Sequence, residues 1–309
     1  MSFKTIAAAV DAMASRVPLK LAVVSPFQTT ATPLTYQGLR DQTRALASWL
    51  RGYGYEKGDL LVSDLPNIQE NLVLQIACNR LGVGYATAKN AEGLAKFSKV
   101  KGALASTGGG VLAEANLSLP VLTGEFVLDL IQNGLDETVI EESVNDTLDE
   151  SSTDESLGHG YYNTTTAYTN LQALSHGQEA AAVLHMTEYD VVCVAVTLCH
   201  PFGIGSGVCS ALQSGASIVL PAVGGIQGCG VPSERAAATW QALRSESCTL
   251  LFADTHTLKA LPMDSDTAAT LRSLRGGVCK TGSGATFLDD IVMLDNVSLR
   301  TIGQPPETE

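Results

Sequence analysis

The stretch Tyr161–Asn170 reads YYNTTTAYTN. Its three consecutive hydroxyls, Thr164, Thr165 and Thr166, are of a type that hydrogen-bonds an oxyanion such as a phosphate. A phosphate-holding loop needs more. Glycines let backbone N–H groups approach the oxygens in conformations that a side chain would block. A lysine supplies charge that offsets the phosphates. This stretch contains neither. Neutral hydrogen bonds contribute much less to holding an ionised group than charge-assisted ones.

Other chemistry-bearing residues form no pattern of ligand spacing. His159, His176, His185 and His256 show no ligand spacing with one another or with the cysteines, so no metal site is expected. The hydrolase elbow G-x-S-x-G is absent. The run Thr107–Val111 (TGGGV) follows an expected strand but lacks the G-x-G-x-x-G spacing, and reads as a loop. The seven cysteines are Cys78, Cys193, Cys199, Cys209, Cys229, Cys248 and Cys279. They form no C-x-x-C pair, and an odd count argues against a disulfide framework. They read as small core residues of a reducing, intracellular compartment.

Elements must position whatever chemistry remains. Leu21–Val24 reads as a strand. Thr35 can cap a helix whose Leu39, Leu46, Leu50 and Tyr53 share one face, with Gly52 and Gly54 ending it. Leu60–Leu65 reads as a strand. Asn67 and Glu70 resemble a capping box opening a helix through Leu72, Ile76 and Leu81, which Gly82 stops. Short strands follow near Gly102–Ser106 and Pro120–Leu122. Strands are expected again at Val191–Val196, Ser217–Leu220, Thr249–Phe252 and Gly277–Cys279. Helices are expected near Gln172–Met186, Gly207–Ser214, Ser233–Ser245 (capped by Ser233) and Ala285–Met293. This alternation predicts an α/β protein, with two mostly parallel β-sheet layers flanked by helices.

The chain has 309 residues, 45% of them hydrophobic and 17% charged, which suits compact α/β packing. Residues 136–155 hold nine of the 32 acidic residues and no basic one. They read as a mobile, solvated acidic loop. The expected organisation is a first α/β subdomain over 1–135, the acidic loop over 136–160, and a second subdomain over 161–309. No basic stripe is visible, so no direct nucleic-acid partner is expected. No apolar run is long enough for a transmembrane segment. The amino-terminal segment could pass for a targeting helix. Its Ile6, Val10 and Met13 also recur at helical spacing, and it reads as the domain's first helix.

Four segments, in order, resemble the amino-terminal part of the adenylate-forming (AMP-binding) superfamily, in the manner of medium-chain acyl-CoA synthetases. Leu34–Leu61 (LTYQGLRDQTRALASWLRGYGYEKGDLL) is similar to the family's "LTY", helix, "G-x-x-K-G-D". Leu65–Thr87 (LPNIQENLVLQIACNRLGVGYAT) is similar to "LPN", helix, "LG". Thr197–Pro221 (TLCHPFGIGSGVCSALQSGASIVLP) resembles the segment with F-H-x-F-G, and Leu271–Phe287 (LRSLRGGVCKTGSGATF) the segment lining the adenine pocket. The resemblance spans nearly the whole chain and implies the fold of that amino-terminal domain.

The family's phosphate loop reads Y-T-S-G-T-T-G-x-P-K-G, followed by S-H. Counting back from Ser175-His176 places Tyr161 on the tyrosine, and Thr165 and Thr166 on the two threonines. The glycines become Thr164, Ala167 and Leu171. The proline becomes Thr169 and the lysine Asn170. His200 matches the histidine beside the acyl pocket. Gly282 and Ser283 match the G-S of the adenine segment, whose proline becomes Gly284. Ile302-Gly303 stands where the family has Tyr-Gly. The family's ribose-binding aspartate, hinge and carboxy-terminal domain with its adenylation lysine find no counterpart in these residues.

The resemblance therefore implies a pseudoenzyme with no catalytic residues and no bound cofactor, retaining a vestigial phosphate loop and a vestigial acyl and adenine pocket. Its expected role is that of a structural or accessory subunit, with other protein subunits as partners. The compartment expected from such relatives is the mitochondrion rather than the cytoplasm, in a respiratory or ribosomal complex. The alternatives are an acyl- or nucleotide-binding module without ligase activity, and a ligase completed by a second chain.

Overall fold

A computed structural model describes residues 3–27, 32–88, 91–95, 97, 100–106, 117–133, 158–161, 167–198, 200–221, 231–263, 266–282 and 284–303. The acidic run 136–155, the TGGGV loop, Cys199 and Cys229 lie outside them.

The strands in chain order are β1 (Leu21–Val24), β2 (Leu34–Thr35), β3 (Leu60–Ser63), β4 (Gly84–Thr87), β5 (Val100–Ala105), β6 (Leu122–Thr123) and β7 (Gly158–Tyr161). They continue with β8 (Ala167–Thr169), β9 (Val191–Val194), β10 (Ser217–Val219), β11 (Leu250–Asp254), β12 (Gly276–Lys280), β13 (Thr286–Leu294) and β14 (Val297–Gly303). They form an eight-stranded sheet, ordered β13-β14-β12-β11-β9-β10-β1-β2, and a six-stranded sheet, ordered β6-β5-β3-β4-β7-β8. The interior pairings are parallel. The antiparallel ones lie at the edges, β1 with β2, β13 with β14 and β7 with β8. Sheet membership crosses the middle of the chain: β1 and β2 belong with the later strands, and β7 and β8 with the earlier ones.

Thr35, Gly54 and Gly82 act at the helix ends as their sequence predicts. Thr35 accepts the amide N–H of Gly38 at 3.1 Å, and Tyr36–Tyr53 runs to Gly54, which takes the left-handed conformation at φ 115°. Gly52 lies inside that helix; Gly54 alone ends it, because only there must the backbone turn left-handed. Leu39, Leu46 and Leu50 are buried, contributing about 1.5–3 kcal/mol each. The first helix, Ile6–Arg16, packs into the same core through Ile6, Val10 and Met13.

Gln69–Leu81 is buried along most of its length, polar residues included. Those polar groups form a network. The Asn71 amide donates to the carbonyls of Leu65 and Pro66, while its oxygen accepts from Gln75 and from the Tyr85 hydroxyl. The capping box expected at Asn67 is not formed. Ile68 occupies the cap position without a side-chain bond. The Asn67 carboxamide reaches across the molecule instead, donating to the Val196 carbonyl at 2.8 Å and accepting from the Leu198 amide at 3.1 Å. Similarly, Pro232 opens its helix behind Val231, and Ser233 is not the cap.

Of residues 285–293, expected as a helix, all but Ala285 lie in strand β13. It pairs with β14 through a hairpin whose turn holds Asp295 at φ 52°. Two carboxylates tie neighbouring elements together. Asp11 accepts from Arg44 and Arg80 at 2.6–3.1 Å. Burial opposes ionisation of Asp11, but the bonds and charges of Arg80 and then Arg44 outweigh it and hold its carboxyl below the usual range. Asp190 is held likewise, on Thr187, Thr249 and Arg275.

Candidate functional site

In an open parallel sheet, ligands bind beyond the carboxyl ends of the strands. Here that edge is formed by the ends of β9, β11 and β12. The chain leaving β9 is pinned by Asn67 at Val196 and Leu198 and arrives at His200. His200 caps a π-helix, Pro201–Cys209, by accepting the Phe202 amide N–H on Nδ1 at 3.1 Å. Such wide turns occur mostly at functional positions. This one depends on close approach. A Cβ at Gly203 would lie 2.0 Å from the Thr197 carbonyl oxygen, and one at Gly205 would lie 2.2 Å from the Tyr168 hydroxyl.

Across the edge, β12 ends at Lys280, whose Nζ lies 3.0 Å from His200 Nε2. Burial, and then the neighbouring Lys280 charge, push the His200 imidazole down to about 4. It is therefore neutral near pH 7. Past Lys280, Gly282 faces open space on its Cβ side. Ser283 lies outside the described residues. Gly284 takes φ 91°, a conformation closed to the proline that the resemblance aligns there.

Thr164, Thr165 and Thr166 lie outside the described residues. Ala167, which the resemblance aligns with a glycine, sits in β8 opposite Tyr161. Thr169 caps the helix Asn170–Val183 in a capping box with Gln172. Ser175 and His176, from which the alignment was counted, lie within that helix. The His176 Nδ1 is 2.5 Å from the Tyr168 hydroxyl, and burial lowers its pKa.

Asn170, aligned with the lysine, is a structural tie. Its Oδ1 accepts the Ile6 amide N–H at 3.1 Å and the Asn79 amide at 2.6 Å. Asn79 Oδ1 accepts the Ala7 N–H, and Thr5 accepts that of Ala8. Three of the orphan donors that open the first helix are thus satisfied, two of them from elsewhere in the molecule.

The structure therefore brings His200 together with Lys280, and places Asn170 against the start of the first helix. Sequence reasoning missed Lys280, Tyr168, Asn79 and Asn67. The signal for Lys280 was its place as the only cation in Gly276–Phe287, directly after a strand. Among the described residues, no cluster of three or more His, Cys, Asp or Glu could hold a metal. The five described cysteines are buried free thiols. No described helix is long and apolar enough to cross a membrane.

Parallel strands with helical crossovers and a polar carboxyl edge define the molecule as an α/β protein built around two sheets. More particularly, its fold is that of the amino-terminal domain of adenylate-forming enzymes. VinN in complex with 3-methylaspartate superposes with a TM-score of 0.63 at 16% identity, covering 91% of this chain and 72% of that one. Klebsiella oxytoca NpsA bound to 3-hydroxyanthranilyl-AMSN gives 0.63 at 16% identity, over 92% of this chain and 54% of that one. The N-terminal domain of FACL13 from Mycobacterium tuberculosis gives 0.66 at 14% identity, over 90% and 70%. No protein-family profile matches the sequence. A search of curated proteins finds no match.

Proposed function

We propose that this chain uses the adenylate-forming fold without its chemistry, as a non-catalytic structural or accessory subunit of a larger protein assembly. The observation that carries the reading is Asn170. The position aligned with the phosphate-binding lysine is neutral, and its carboxamide oxygen is committed to the head of the first helix. Ala167 in a hydrogen-bonded strand supports the same conclusion, since a cradle needs free backbone N–H groups there. A fold can outlast its reaction because function lives in the site. The proposed setting is a mitochondrial respiratory or ribosomal complex, following the resemblance. Exposed Ile291 and Met293 on the edge strand β13 support a protein partner. Fractionation of native extract tests this role: the chain is expected in a large stable assembly without ATP–pyrophosphate exchange. A free monomer, or exchange in the assembly with a second chain supplying the missing groups, would overturn it.

A second reading is a binding module that holds an acyl group or nucleotide without reacting. The His200 and Lys280 arrangement favours it, because it keeps a polar, partly buried pair at the ligand edge.

A further inference from the structure

The hairpin of β13 and β14 closes one side of the eight-stranded sheet, with β13 outermost. An outermost strand presents backbone N–H and C=O groups to any chain that can pair with it. Ile291 and Met293 alternate along β13, so they share one face, and both are exposed. Arg300 and Ser298, opposite them on β14, continue that face. Charge brackets this short run. Asp289 and Asp290 precede it and Asp295 follows it, all three exposed. Leu288 pairs with Thr301 and Ile291 with Arg300, so Asp289 and Asp290 form a bulge outside the register. The Thr301 hydroxyl holds that bulge by donating to the Asp290 carbonyl at 2.9 Å. Arg300 is the single cation in residues 286–303, against three carboxylates.

A second copy is a poor occupant of this edge. Antiparallel pairing of two β13 strands about Val292 would bring Asp289 of one copy against Asp295 of the other. Pairing about the bond between Val292 and Met293 would bring Asp290 there instead. Like charges placed opposite each other are destabilising, and the net charge of −13 adds to the repulsion.

We propose that the outer edge of β13 binds an extended segment of a different protein, one with alternating apolar residues between basic ones. Its backbone adds a strand to the sheet along Ile291–Leu294. Its apolar side chains lie beside Ile291 and Met293. Its lysines or arginines reach Asp289, Asp290 and Asp295. In strand addition the main-chain bonds supply affinity and the side chains select the partner. The inference rests on the accessory-subunit reading and names the kind of segment by which a partner would hold this chain.

Fluorescence anisotropy of labelled synthetic peptides with the intact chain tests it. The probe is a stretch of alternating valine and threonine with a lysine pair at each end. It should bind saturably at low ionic strength, whereas the same stretch flanked by glutamates should not. N-methylation of the probe's backbone keeps its charge and removes its donors, and should abolish binding. The double variant Asp289→Lys, Asp290→Lys should bind the lysine-flanked probe about tenfold more weakly and gain binding of the glutamate-flanked one. The milder Asp289→Asn, Asp290→Asn pair should give a smaller loss. No saturable binding, equal binding of the N-methylated probe, undiminished binding by both variants, or a stable dimer that Met293→Lys dissociates would overturn the proposal. Native fractionation reports separately. A chain found in a large assembly but blind to the probe would overturn this edge alone, and a free monomer that binds the probe would overturn the accessory reading alone.

Discussion

Asn170 and His200 show how a side chain's partners decide its role. Replacing Asn170 by Ala would strand the Ile6 N–H at the opening of the first helix and deprive Asn79 of its acceptor. An unpaired buried donor costs about 1–3 kcal/mol, and urea unfolding of Asn170→Ala should show a loss of that size. Asn170→Lys, which reinstates the aligned cation, should be no more stable and should bind ATP no better. His200 governs an acid response. Its folded pKa lies near 4, below the ordinary histidine value of about 6.5, so the unfolded chain binds the proton more readily. Its contribution is present above about pH 6.5 and is lost as pH falls toward 4. Urea midpoints at pH 7 and pH 5 should differ less in His200→Gln than in the parent chain. An unchanged difference would remove His200 from the acid response.

At the scale of elements, close approach matters more than propensity. The π-helix fits beneath Tyr168 only because residue 205 has no Cβ. Gly205→Ala should lose about 1–3 kcal/mol by overpacking and should disturb the Tyr168–His176 pair, read from the His176 imidazole shift. Much of the element pattern was legible in the sequence. Thr35, Gly54 and Gly82 announce helix ends through chemistry that is local, and the alternation of strands and helices announces the layered sheet. Interactions distant in sequence were not legible. Asn67 looks like a cap for its own helix, but two backbone groups some 130 residues away claim its carboxamide. Thr286–Leu294 (TFLDDIVML) places Phe287 and Ile291 four residues apart, as a helix would. Pairing with β14 decides for a strand, with a register shift that accommodates Asp289 and Asp290. At the site, His200 was found through the resemblance, whereas Lys280 required knowing that the ends of β9 and β12 are neighbours.

Across the whole molecule, the two sheets exchange strands, so neither half of the chain completes its own sheet. The Asn170–Ile6 tie joins the same halves. Among the described residues, β13 is the longest edge strand, and on it Ile291 is 51% and Met293 58% exposed. Exposed apolar edge strands invite pairing with another chain. A Met293→Lys change should weaken recovery of partners in a native pull-down while leaving the unfolding free energy within about 0.5 kcal/mol of the parent. Undiminished recovery would place the partner surface elsewhere. The central claim is that the fold persists without a home for the triphosphate. Calorimetric titration of the intact chain with magnesium ATP tests it most directly. No saturable heat up to millimolar nucleotide is the expected result, and a stoichiometric isotherm in the micromolar range would contradict it.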